Sequence, residues 1–167
     1  LDRGVAVRAL DDLSRARPML GRYFDGVVPP AEEPSEVESE LRAAAETAWT
    51  LAEANYESWR LHLALGATFD FVSAVNRYID RTEPWRLARD PAQRERLSTV
   101  LGAALEAVRH IAIQIQPAMP RTSTAILGRL GLPPAGPGDW GAGGWTGLSA
   151  GHRVPGGAAL FPRIEAA

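Results

Sequence analysis

An all-α helical bundle followed by an irregular extension is the architecture this sequence predicts, on three observations. Two long segments carry apolar residues at alternating spacings of four and three, the repeat that lines up one face of an α-helix. Between them stand residues that start and stop helices. After Leu132 the helical repeat gives way to PPAGPGDWGAGGWTGLSAGHRVPGGAALFPRIEAA, rich in glycine and proline.

The first element reads as a helix from about Arg3 to Arg17, kinked or ended at Pro18, whose ring clashes and whose N–H is missing. RYFDGVVPP follows as a turn centred on Asp25-Gly26, with Tyr23 and Phe24 packed against the bundle. Ser35 as N-cap and Glu38 at the third helical position form a capping box. The acidic residues around them suit the positive end of the helix dipole and read as a solvated face. This helix runs through Ala43, Ala44, Ala45 and Ala48 toward Trp49 and Leu51 and ends near Asn55, with another taking over around Ser58.

In that next helix Leu61, Leu65, Thr68, Val72, Val75 and Ile79 mark a buried stripe. Asn76 beside it reads as a structural amide tied to a neighbouring helix or loop. Asp90-Pro91, with Gln93 in the capping-box position, restarts the chain, and Leu97, Leu101, Ala104, Val108, Ile111 and Ile115 form the second stripe. Pro117 and Pro120 stop it, and a short helix through Ile126 and Leu127 ends at Gly131 as C-terminal cap. The chain thus divides into a bundle at 1–131 and an extension at 132–167. Trp140, Trp145, Leu148, Leu160 and Phe161 are too apolar for a free tail, so the extension is expected to fold back on the bundle or on a catalytic domain outside this chain.

Composition excludes several classes. With no cysteine there is no disulfide framework, thiolate metal site or thiol nucleophile, and the cytoplasm is the expected compartment. No apolar run approaches the roughly 18 residues of a membrane span, so no membrane partner is expected. Leu1 opens the chain without an initiator methionine inside what already reads as a helix, which suggests a piece of a longer protein with its catalytic half upstream. The 18 basic side chains are all arginine and the net charge is −2, which argues against broad binding to DNA or RNA backbones and leaves room for a small stacking or bidentate site.

Catalytic signatures are absent. His62, His110 and His152 are far apart with no HExxH spacing, and there is no GxSxG elbow, Walker loop or dinucleotide fingerprint. No catalytic residue, metal ligand or cofactor is therefore assigned to this chain. One stretch does carry a site: in NRYIDRTEPW an amphipathic helix runs out and delivers Trp85 to a corner stiffened by Pro84. Trp85 is either a core anchor closing a helix joint or an exposed platform for a planar ligand such as a base.

The blocks NRYIDRTEPWRLARD, RLSTVLGAALEAVRHIAIQIQPAMPRTSTAILGRLG and LFPRIE, in this order and preceded by RYFDGVVP, resemble the C-terminal anticodon-binding helical domain of methionyl-tRNA synthetases. The resemblance implies a bundle of the class I synthetase anticodon-binding type and a tRNA partner, the anticodon stem-loop of initiator and elongator methionine tRNAs. It implies that Trp85, with Pro84, stacks on an anticodon base. It also places Arg15 at the arginine of the family's NLxxR motif and Asp11 where the motif asparagine is expected, with Asp12 in place of the leucine. An aspartate only accepts hydrogen bonds and repels phosphate, which departs from the family's pattern. The HIGH and KMSKS signatures are absent, so methionine activation and the ATP it uses belong to an attached or separate catalytic domain.

Two other classes remain open from the sequence. The chain could be a synthetase-like module of an amino-acid-activating or amino-acid-joining biosynthetic enzyme that no longer binds tRNA, or an interaction module docking through its apolar tail.

Overall fold

The computed structural model describes Ala16 and residues 18–30, 33–140, 144–145 and 148–155. Its helices are α1 (residues 18–24), α2 (Glu36–Glu57), α3 (Leu61–Thr82), α4 (Pro84–Leu87), α5 (Arg94–Gln114) and α6 (Pro120–Arg129). Among the described residues there is no sheet, only an isolated antiparallel bridge between Val27 and Arg153. The helical reading of residues before Ala16 lies outside the described part.

Of the two outcomes expected at Pro18, a kink or an end, the end does not occur. Ala16 and residues 18–24 are helical, and buried Ala16 and Leu20 hold the segment against the core while the proline's fixed φ still suits a helix. The turn comes at Asp25 and Gly26, both with positive φ, and Gly26 donates back to the Leu20 carbonyl at 3.2 Å.

α2 begins as predicted, with the Ser35 N–H donating to the Glu38 carboxylate at 3.0 Å. The acidic run around it is not uniformly solvated. Glu36 and Glu40 are exposed, but Glu38 is only 4% exposed. Its carboxylate accepts the Tyr78 hydroxyl of α3 at 2.6 Å and both Arg96 guanidinium nitrogens of α5 at 2.8 Å. A buried carboxylate is tolerated because a bidentate guanidinium and a phenol complete its acceptor sites.

α2 and α3 form an antiparallel pair joined at 58–60. The α3 stripe is buried from Leu65 through Ile79, but Leu61, at the corner itself, is largely exposed. Asn76 is half-buried and makes no side-chain hydrogen bond among the described residues. At the start of α5, Asp90 caps a 3-10 turn over Pro91–Gln93, accepting from the Ala92 N–H at 3.0 Å, and the α-helix proper begins only at Arg94. Gln93 thus occupies the N-cap of α5 rather than a capping-box position.

The sequence marks one apolar stripe on α5, yet every residue from Ala104 through Ile115 is buried. The extension supplies part of that cover, through Trp145 and the backbone at Gly144 and Leu148, and also packs on α2. Trp140 lies against Trp49 at 5.0 Å between ring centroids and against Tyr56 at 5.6 Å, while Trp145 lies 5.2 Å from His110. A buried ion pair fastens the extension: Arg109 donates to Glu106 at 2.8 Å and to the Gly144 carbonyl at 2.7 Å, and the Leu148 N–H donates to Glu106 at 3.1 Å. Leu160 and Phe161 lie outside the described residues. Gly131 closes α6 at φ +74°, and a Cβ there would lie 2.7 Å from the Arg153 carbonyl, so the returning tail needs glycine at this crossing.

Burial pushes the Glu38 carboxyl up, but the hydrogen bonds from Arg96, Ser35 and Tyr78 and the Arg96 charge outweigh it and hold the group down at about 2. With its folded value depressed, Glu38 stabilises the fold fully above about 4.5 and loses that contribution as pH falls toward 2. Urea unfolding followed across this window is expected to lose on the order of 3 kcal/mol from this group, and Glu38→Gln should flatten that part of the profile. Gly131→Ala is expected to destabilise by more than about 1 kcal/mol and to speed hydrogen exchange at the Val28 and Val154 amides.

Candidate nucleic-acid interface

The corner that carries Trp85 is built from α3 downward. α3 ends at Thr82, and Glu83 adopts a left-handed conformation, φ 42° and ψ 58°, while its N–H still closes on the Ile79 carbonyl at 3.0 Å. For a residue with a Cβ this conformation costs of order 1 kcal/mol or more. It turns the chain, and Pro84 then starts α4 with φ already suited to the first helical position.

Within this single turn the faces separate cleanly. Pro84 is buried and Leu87 and Ala88 pack against the core, whereas Trp85, Arg86 and Arg89 point outward. Trp85 is 39% exposed and lines an open groove of about 450 Å³. The far wall of the groove is α1, contributing Pro18, Met19, Arg22 and Tyr23, and the near wall adds Ala88 and Arg89. Pro84 is thus the buried member of the pair, and Trp85 stands partly exposed at the edge of the groove.

Charge is apportioned so that the groove is positive although the chain is net negative. Arg86 is held by Glu83 at 2.7 Å, and Arg94 caps α1 by donating to the Tyr23 carbonyl at 2.5 Å with its guanidinium 4.9 Å from the Phe24 ring centre. Among the described residues Arg22 and Arg89 make no ion pair and no acidic residue lines the groove. Arg22 lies 5.5 Å from the Tyr23 ring centre, so its planar face is available beside a second aromatic. An exposed indole between two guanidiniums can stack one base and hold the adjoining phosphates.

Of the residues singled out from the sequence, the structure brings Trp85 and Pro84 to this corner; Arg15 and Asp11 lie outside the described residues. Sequence reasoning missed Arg22, Tyr23 and Arg89. Ala88 and Arg89 could have been found at helical spacing from Trp85, but nothing local links Arg22 to it. Among the described residues no group of three or more His, Asp or Glu side chains is placed to hold a metal ion, and no helix is long and apolar enough to cross a membrane.

Residues 28–167 match the family described as the anticodon binding domain of methionyl tRNA ligase. The chain belongs to this family. It is 37% identical over 153 residues to the methionine–tRNA ligase of Deinococcus radiodurans, covering 92% of this chain and 22% of that protein. The Streptomyces coelicolor enzyme of the same name is 37% identical over 165 residues, covering 91% and 30%. The crystal structure of the apo methionyl-tRNA synthetase of Mycobacterium tuberculosis superposes with a TM-score of 0.85 at 27% identity, over 99% of this chain and 33% of that one. The same enzyme in complex with methionyl-adenylate gives 0.84 at 29% identity, over 93% and 31%. The chain thus spans between 22% and 33% of the length of these relatives. Within this family the bundle described above is an anticodon-binding fold.

If Trp85 is a platform rather than a core residue, its loss should leave folding nearly intact. Urea unfolding is expected to show Trp85→Ala within about 1 kcal/mol of wild type, whereas Trp49→Ala, which empties the centre of the aromatic cluster, should cost about 3–5 kcal/mol.

Proposed function

We propose that this chain binds the anticodon stem-loop of methionine tRNAs, stacking one anticodon base on Trp85 and holding the adjacent backbone with Arg22 and Arg89. The observation that carries the reading is an exposed tryptophan fixed over a buried proline and facing an arginine-lined groove. Stacking on a preset ring costs little ordering entropy, and two guanidiniums suffice for a local site on an otherwise acidic protein. Arg15 stands three and four positions ahead of Pro18 and Met19, which line the groove, and is proposed as a further contact. Asp11, an acceptor only, would select for a base amino group at the same site.

In this reading residues 1–131 form the recognition unit and residues 132–167 its cover, in a cytoplasmic protein. Methionine activation with ATP, and transfer to tRNA, belong to a catalytic part of a parent synthetase outside this chain. The module is the identity reader: it lowers the free energy of the cognate complex and leaves the chemistry to its partner. Asp11 at the expected asparagine position favours one second reading, a synthetase-like module that has lost tRNA.

Titration with a CAU anticodon stem-loop and a scrambled-loop control separates the two. Selective, saturable binding is expected, with Trp85→Ala weakening it by about 1–3 kcal/mol, the worth of one stacked base. Equal and weak affinity for both RNAs would overturn the anticodon reading in favour of the second.

A further inference from the structure

Another groove lies along the neighbouring face of α1. It is open, about 500 Å³, and bordered by Pro18, Gly21, Asp25 and Gly26 on one side and by Arg153 and Val154 of the returning tail on the other. Pro18 borders this groove and the Trp85 groove alike, so the two run along either side of one ridge. Gly21 keeps that ridge low: it is exposed, and nothing lies within 4 Å of where a Cβ would be.

Arg153 is held unusually firmly for a residue in an irregular segment. The Val28 N–H donates to the His152 carbonyl at 2.8 Å and the Val154 N–H donates to the Gly26 carbonyl at 2.8 Å, so the backbone is paired on both sides of it. The His152 ring lies 2.6 Å from the Leu130 carbonyl, and the Arg153 carbonyl presses on Gly131. The guanidinium, by contrast, is exposed and among the described residues reaches only the Asp25 carbonyl, at 3.4 Å. A cation on a fixed backbone with an uncommitted head loses little freedom on meeting an anion.

We propose that the RNA strand stacked on Trp85 crosses the α1 ridge and places a backbone phosphate at Arg153, making the tail part of the RNA-binding surface. The inference rests on the tRNA reading above. Asp25 borders the same groove, and its carboxylate opposes the phosphate there. Asp25 has φ +52°, a conformation that asparagine adopts as readily as aspartate, so Asp25→Asn removes the charge without disturbing the turn.

The test is binding of the CAU stem-loop by the full chain, with Kd measured over a series of salt concentrations for wild type, Trp85→Ala, Arg153→Ala, Arg153→Lys and Asp25→Asn. Arg153→Ala is expected to weaken binding about two- to fivefold and to make the salt dependence shallower by about 0.7 in log–log slope, the share of one single-strand phosphate. Arg153→Lys should restore most of that slope, and Asp25→Asn should tighten binding. If Arg153→Ala and Asp25→Asn match wild type in Kd and slope while Trp85→Ala weakens binding, the crossing is overturned and the tRNA reading stands. Weaker binding by Arg153→Ala at an unchanged slope, together with lower stability to urea, would assign Arg153 a structural role and overturn the proposal. Failure of the wild type to bind overturns both.

Discussion

The carboxylate of Glu38 is the constraint on which the arrangement of helices turns. It sits at the third position of α2, where it caps its own helix through Ser35, and it is buried where Tyr78 of α3 and Arg96 of α5 converge on it. A carboxylate left in the interior without these partners would be strongly destabilising, so the three helices must meet in one register. That register fixes the end of α3 against the beginning of α5. The span between those two points is the left-handed Glu83, α4 and the Asp90 turn, so the position of Trp85 follows from an interaction more than a helical turn away from it.

The groove depends equally on how the arginines are spent. Arg94, Arg96 and Arg109 are committed to a helix end, a buried carboxylate and a tail carbonyl, and Arg86 to the neighbouring Glu83. Among the described residues, what remains around Trp85 are Arg22 and Arg89. Net charge is therefore a poor guide to this surface: among the described residues, a chain at −2 presents a groove bordered by two guanidiniums without an ion pair and by no carboxylate. Such a site favours a short, stacked contact over long backbone neutralisation.

The glycine-rich extension has a structural logic of its own. Few of its described residues are helical, but Trp140 packs on α2 and Trp145 on α5, and the Glu106–Arg109 pair holds its backbone at two points. The stretch around residues 152–154 is clamped between Val28 and Gly131 and so lies beside α1. Trp85 on α4 and Arg153 on the tail thus border two grooves that share Pro18 of the same short helix.

Much of this was legible in the sequence, for a definable reason. Periodicity, the Ser35–Glu38 box, Pro84 and Gly131 are local signals, and each concerns residues within about two helical turns, where backbone sterics and hydrogen bonding act directly. They determined the bundle, its element order, the corner at Trp85 and the family. Tertiary structure decided what no local pattern encodes: that Pro18 stays inside a helix, that Glu38 is buried while its acidic neighbours are not, that α5 is covered all round from Ala104 onward, and that Arg22 rather than a nearer residue shares a groove with Trp85. Burial and charge pairing depend on which distant side chain arrives at the same point, and only the packed helices settle that.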